Sequence, residues 1–217
     1  MALAKAKLSA VAVLLVASVL RIKRGDASKA DIKVITESAA TEKWLFKYKD
    51  VIGEPDFERY RGHVYRVLNI ALHLLKENPR VEQLRETIEI ALVFHDIALW
   101  TTRELSYVVP SNKLALETVT GQTEEQKALM SNIILYHHKI TPFKGENADI
   151  VSAVIAADLA DFTFGLVRSG FSSDNMAKLL AEIPDTGFHT TLNLRIPAIR
   201  GWNIFRGVWE VMQIFYW

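Results

Sequence analysis

The spacing of apolar residues predicts a chain built almost entirely of helices. From about residue 38 onward, apolar positions recur every three or four residues, as in YRGHVYRVLNIALHLL over residues 60–75 and VEQLRETIEIALVFHDIALW over residues 81–100. A third segment, NADIVSAVIAADLADFTFGLV over residues 147–167, is apolar on nearly all sides, which predicts a central buried helix capped by Asn147. Sustained strand-like alternation is missing from the sequence, so we predict an all-α fold.

Polar and cyclic residues mark where several of these helices begin and end. Thr123 and Gln126 have the spacing of a capping box, in which the two side chains bond each other's backbone N–H groups. Pro110 followed by Ser111 predicts another helix start, and the segment ELSYVVPSNKLALETV is expected to form a loop and a helix over the functional site. Pro184 is expected to end the helix SSDNMAKLLAEI.

Residues 1–25 form a separate apolar unit with basic flanks, and residues 26–217 are expected to form one domain. The uncharged run Leu8–Leu20 is shorter than the roughly 20 residues that span a bilayer. Three interpretations stay open: a membrane anchor or membrane-associated helix, a cleaved signal-like segment, and a helix packed on the body. The basic residues over 21–24 favour a cytoplasmic location for the domain that follows.

The C-terminal segment GWNIFRGVWEVMQIFYW is rich in aromatic residues. One helical stripe contains Trp202, Phe205, Val208, Trp209, Met212 and Phe215 or Tyr216. Such a stripe is more often a core-packing face, and the alternative is a helix at a membrane interface.

Composition limits the chemistry that the chain supports. Residues 1–25 carry five basic and no acidic side chains, so the remainder of a chain with net charge +1 has net charge −4 and no basic run typical of nucleic-acid binding. The chain has no cysteine, which excludes disulfides, thiol nucleophiles and cysteine-ligated metals. Any metal must therefore be held by His, Asp and Glu.

Several ionisable residues stand in otherwise apolar helical segments. They are His63, the adjacent His95 and Asp96, the adjacent His137 and His138, and Asp158. Each alone is most simply a hydrogen-bonded core residue, but buried imidazoles and carboxylates without partners are unfavourable. One shared divalent cation would satisfy all of them.

The order of these residues resembles the HD-domain superfamily of metal-dependent phosphohydrolases. The segments YRGHVYRVLNIAL, ALVFHDIAL and VIAADLAD are similar to the three blocks of the H…HD…D signature, over residues 58–165. The resemblance implies an HD-type helical bundle in which His63, His95, Asp96 and Asp158 ligate a divalent transition metal (Mn, Fe, Zn, Co or Ni). It also implies a metal-activated water that cleaves a phosphoester or phosphoanhydride of a small, nucleotide-like substrate.

The segment ILYHHKITP is similar to the additional histidine positions of family members that bind two metals. By this resemblance His137 is our choice for a ligand of a second ion and His138 the alternative, with Asp96 bridging the two ions. One ion or two stays open, because one of the two histidines could instead hydrogen-bond nearby. His73 is expected to be structural, and His189, in the loop DTGFHTTLN, is expected at the surface.

Further residues are assigned candidate roles in catalysis. Arg66 and Lys139 are expected to neutralise charge on the substrate, and the alternative for each is an ordinary surface charge. Asp161, one helical turn after Asp158, is either a general base or a residue that orients a ligand. Lys113 and Glu117 are placed within reach of a substrate.

Departures from the family pattern leave other functions open. Leu99 stands where some nucleotidase members carry an acidic residue, and KITPF stands where cyclic-dinucleotide phosphodiesterases carry a GYP-like triad. The alternatives to a phosphohydrolase are an HD-fold di-iron oxygenase, a hydratase or hydrolase of carbon–nitrogen compounds, and a non-catalytic, membrane-associated binding protein. The expected partners are a small phosphorylated substrate and, through residues 1–25, a membrane.

Overall fold

The structure is a computed structural model that describes residues 30–139 and 141–191, together with 198–199, 203, 206–207, 209–210 and 214. The predicted N-terminal helix over residues 1–25 lies outside these residues. Most of the predicted aromatic stripe lies outside them as well, namely Trp202, Phe205, Val208, Met212, Phe215 and Tyr216.

The fold is all-α, as the apolar spacing predicts, and the described residues contain no strand. Nine helices are present in them: α1 (Ala39–Lys47), α2 (Lys49–Ile52), α3 (Asp56–Leu74), α4 (Val81–Phe94), α5 (Ala98–Thr101), α6 (Val108–Thr118), α7 (Glu124–Tyr136), α8 (Ala148–Phe162) and α9 (Ser173–Glu182).

The core of the bundle lies between α3 and α8, which make the most extensive helix–helix contact. In α8 the apolar residues Ile150, Val151 and Val154 are fully buried, as expected for a central helix. α4 packs against both α7 and α1, and α6 packs against α7. As a result α3, α4, α7 and α8 surround one interior region.

The helix boundaries follow the local signals with two exceptions. The capping box of Thr123 and Gln126 is present at the start of α7, and α9 ends two residues before Pro184. α6 begins at Val108 rather than Ser111, because proline is tolerated in the first turn, where its missing N–H would lack a helical partner. Asn147 precedes α8, but its side chain accepts a hydrogen bond from Arg80 instead of capping the helix.

The C-terminal segment differs from the predicted core-packing stripe at the one stripe residue that the structure describes. Trp209 is 65% exposed, whereas Ile214, which is not on that stripe, is buried. None of the described helices is long and apolar enough to cross a membrane.

Candidate metal centre

Four helices bring six histidine and aspartate side chains to one buried region. The six are His63, His95, Asp96, His137, His138 and Asp158. The first lies within α3 and the last within α8, whereas the two adjacent pairs directly follow the final residues of α4 and α7. In three overlapping groups of three, their ligand atoms all lie within 4.8 Å of one another. This arrangement is compatible with a metal site.

His95 and His137 are oriented in the same way at the ends of two helices. Each occupies the C-cap position, and its Nδ1–H donates to the carbonyl oxygen three residues earlier, 2.5 Å to Leu92 O and 2.7 Å to Ile134 O. These carbonyls are among those that the end of a helix leaves without an intrahelical partner. Since a carbonyl only accepts, the bond places the proton of the neutral ring on Nδ1 and leaves Nε2 with its lone pair facing the site.

On its Nδ1 side, His63 contacts a charged pair of residues. Its Nδ1–H donates to Asp161 Oδ2 at 2.8 Å, and the Arg66 guanidinium donates to both oxygens of the same carboxylate, at 2.5 and 3.0 Å. His63 and Arg66 are three residues apart on α3, so both reach the same part of α8. The Nε2 atom of His63 points at His95 Nε2, 3.0 Å away.

His138 has the opposite orientation. Its Nε2 lies 2.5 Å from the hydroxyl of Tyr107, and its Nδ1 lies 3.3 Å from Asp158 Oδ2. Tyr107 is the residue immediately before α6 and is buried. His138 therefore directs Nδ1 towards Asp158, while its Nε2 lies 3.9 Å from Asp96 Oδ1.

Each aspartate directs one carboxylate oxygen at His63 or His95 and the other oxygen at His137 or His138. Asp96 Oδ2 lies 3.3 Å from His95 Nε2, and Asp96 Oδ1 lies 3.2 Å from His137 Nε2. Asp158 Oδ1 lies 3.4 Å from His63 Nε2, while its Oδ2 faces His138. Each carboxylate thus faces one histidine with one oxygen and a different histidine with the other.

Charge and burial act strongly on these groups. Burial lowers the pKa of His63, but hydrogen bonds and charges of Asp158 and Asp161 outweigh it and raise that pKa to about 9. Burial, together with the charge of His138, lowers the pKa of His137 to about 4.

The pKa values of two carboxylates are shifted in the direction opposite to the effect of burial. Burial raises the pKa of Asp96, but His95 and His137 outweigh this effect and hold the pKa well below its usual range. The pKa of Asp161 is lowered for a similar reason, because His63 and Arg66 outweigh its burial. Both residues therefore carry negative charge at neutral pH.

Aromatic side chains enclose the site on the α3 side. Phe188 stacks on His63 with ring centroids 4.1 Å apart, and Tyr60 lies near both His63 and His95 while its hydroxyl donates to Val93 O. These rings exclude water from one wall of the site, which strengthens the electrostatic interactions inside it.

Arg66 and Lys139 are buried, unlike ordinary surface charges. Arg66 is fully buried, and in addition to Asp161 it donates to Pro184 O at 3.1 Å. Lys139 is also buried, and its Nζ has no hydrogen-bond partner among the described residues. Lys113 and Glu117 are exposed and pair with each other at 3.8 Å. Burial lowers the pKa of Lys139, and this side chain is the candidate cation without a hydrogen-bond partner among the described residues.

The surface position expected for His189 is wrong. His189 is buried against Phe162, Phe164 and Phe188, and neither of its ring nitrogens has a hydrogen-bond partner in the described part of the chain. A loop sequence rich in small polar residues gives no local sign of this burial. His73 is buried away from the site, where Asn175 contacts its ring.

Tyr107 is a site residue that the sequence pattern did not single out. It stands in a polar segment between two helices, and a lone tyrosine there has no periodicity that would mark it. Its contact with His138 joins residues 31 positions apart, so only the packing of α6 on α7 creates it.

Comparison of the chain with models of protein families, with curated proteins and with solved structures finds no match. The all-α architecture and the buried cluster of histidines and aspartates are observed directly. Any function assigned to the chain therefore depends on the geometry of that cluster.

Proposed function

We propose that this chain is a metal-dependent phosphohydrolase of the HD type that holds one or two divalent transition-metal ions. The main support for the proposal is that hydrogen-bond acceptors face one another at short distances. The Nε2 lone pairs of His95 and His137 lie 3.3 and 3.2 Å from oxygens of Asp96. Two acceptors at such distances repel unless a cation lies between them.

The donor set fits a first ion bound by His63, His95, Asp96 and Asp158. Nitrogen and carboxylate ligands of this kind suit Mn, Fe, Zn, Co or Ni. His63 and His95 each have an oxygen partner on Nδ1, as metal-ligating histidines do, and their Nε2 atoms approach to 3.0 Å. A cation close to both Nε2 atoms would therefore be bound by both rings.

The other side of the two carboxylates fits a second ion. Asp96 Oδ1 and His137 Nε2 are both buried and without a hydrogen-bond partner among the described residues, although they lie 3.2 Å apart. Buried polar atoms in native proteins are rarely left unpaired. His137, His138 and the second oxygens of Asp96 and Asp158 would hold this ion.

The chemistry follows from these residues. Divalent ions in such a site supply an activated water and polarise a phosphoryl oxygen. Asp161 and Arg66 keep His63 in one orientation, and Phe188 and Tyr60 keep water from that wall. Lys139, which follows His138 in the chain and is buried, is the candidate for neutralising negative charge on the substrate.

The metal site is tested by elemental analysis of purified protein. We expect at least one equivalent of a transition metal in the wild type and its loss in the double variant His95→Ala with Asp96→Ala. His73→Ala is the matched control, because it removes a buried histidine outside the cluster. Retention of the metal by the double variant would show that the site is assigned to the wrong residues.

The reaction is tested by a turnover screen over nucleotides and artificial phosphoesters with added Mn²⁺. We expect hydrolysis by the wild type and by His73→Ala but not by the double variant. A protein that contains iron and consumes oxygen without releasing phosphate would contradict the hydrolase assignment and favour an oxygenase.

A further inference from the structure

We propose that Tyr107 is a positioning residue that selects the tautomer of His138 and thereby controls the affinity of the second metal position. The inference rests on the proposed function, because it concerns the second ion of that site. Three contacts carry it: Tyr107 to His138, His138 to Asp158, and the packing of α6 on α7.

The anchoring of His138 differs in kind from that of the other three histidines. His95 and His137 are anchored by backbone carbonyls and His63 by a carboxylate, and all three anchors only accept hydrogen bonds. In the neutral ring, each anchor therefore places the proton on Nδ1 and leaves the lone pair of Nε2 directed into the site. The anchor of His138 is a hydroxyl, which both donates and accepts, and the same hydroxyl hydrogen-bonds the Asp96 carboxylate.

The direction of that one hydrogen bond decides what His138 offers to the site. When the Tyr107 oxygen accepts from Nε2–H, the Nδ1 lone pair faces Asp158 Oδ2 at 3.3 Å, and the two acceptors form half of a cation site. When Tyr107 donates instead, Nδ1 carries the proton and donates to Asp158, so His138 does not ligate. A bound ion favours the first arrangement and needs Tyr107 as the acceptor.

The hydroxyl is held firmly enough to act in this way. Tyr107 is 4% exposed, and its backbone carbonyl accepts from Ser111 N–H at 2.8 Å in the first turn of α6. Its ring meets His138 edge-on, with centroids 5.9 Å apart. The anchor of the second position therefore stands at the start of α6, a helix that supplies no ligand itself.

Metal titration of Tyr107→Phe tests the inference. Calorimetric titration of metal-free wild-type protein with Mn²⁺ is expected to show two ions. Tyr107→Phe should keep the first affinity and bind the second ion about 10–100-fold more weakly, the usual effect of removing a partner of a metal ligand. Tyr48→Phe is the matched control, since Tyr48 is also buried and its hydroxyl contacts Thr118 rather than the site.

Two further measurements separate positioning from a general effect on folding. Nitrogen NMR of protein labelled at histidine should show one ring, that of His138, changing tautomer in Tyr107→Phe. In the background of His138→Gln, which lacks the anchored ring, Tyr107→Phe should change the second affinity no further, whereas a loss caused by misfolding would persist.

The outcomes distinguish this inference from the proposed function. Two ions bound equally well by wild type and Tyr107→Phe would overturn the inference alone, and so would a wild type that binds a single ion. Equal weakening of both ions in Tyr107→Phe would also overturn it. A wild type that binds no ion would overturn the proposed function and the inference together.

Discussion

Each histidine of the cluster has one ring nitrogen bonded to an oxygen outside the site and the other directed at a carboxylate. For His63 the outer oxygen belongs to Asp161, whose charge is balanced by Arg66. This chain of contacts explains why a guanidinium is fully buried there, because removing one partner of a buried pair leaves an uncompensated charge. Asp161 contacts both His63 and Arg66, a geometry that orients the His63 ring.

The raised pKa of His63 predicts a pH dependence for the metal-free protein. Its pKa is about 9 in the folded state and ordinarily 6.5, so protonated His63 stabilises the fold below pH 6.5, and that stabilisation is lost as the pH rises through 9. We expect the unfolding free energy of chelator-treated protein in urea to fall by up to about 3 kcal/mol over this range. The change should be much smaller in His63→Gln, and an equal change in that variant would contradict the assignment.

At the scale of elements, α4 and α7 contribute to the site in the same way. Both end at the site, both have a histidine at the C-cap position, and both place their partially negative C-terminal ends next to it. A cation there is favoured by the helix ends as well as by the carboxylates. The far end of α7 begins at the Thr123 capping box, which determines where this helix starts.

Thr123→Ala should therefore destabilise α7 without altering the metal site. Losing the cap removes a hydrogen bond to Gln126 N–H, which costs about 1 kcal/mol of unfolding free energy. The measurement is urea unfolding followed by circular dichroism, with metal content determined on the same sample. Thr120→Ala, at an exposed threonine of the preceding loop, is the control. Equal stability of the two variants would show that the box contributes nothing.

At the scale of the whole molecule, the buried cluster is assembled from distant parts of the chain. His63 and Asp161 are 98 positions apart, and the six cluster residues come from α3 and α8 and from the ends of α4 and α7. An unfolded chain cannot hold these groups together, so an ion bound here stabilises the folded state alone.

Metal addition should accordingly raise the thermal unfolding temperature. At a free Mn²⁺ concentration of about 100 times Kd, the stabilisation is about 2.7 kcal/mol, which corresponds to roughly 5–10 °C for a chain of this size. Differential scanning fluorimetry with and without a chelator measures the shift. The variant with His95→Ala and Asp96→Ala should show no shift, and a shift equal to that of the wild type would place the ion elsewhere.

What the sequence by itself determined is the local helical structure, together with the prediction that histidines and aspartates in apolar helices share one site. Helical spacing, the Thr123 box and the stop before Pro184 depend on neighbours within one or two turns, so they are readable along the chain. Histidines and aspartates in apolar helices also predicted a shared cation. This prediction is local as well, because the free-energy cost of burying each residue is apparent from its own segment.

Only the tertiary structure decided how those residues are used. Packing of α6 on α7 brought Tyr107 to His138, and the pairing of α3 with α8 gave Arg66 the carboxylate of Asp161 as a partner. It also buried His189 beside Phe188, where a surface position was expected. These contacts join residues far apart in the chain, and their energies depend on distances and orientations that no local pattern contains.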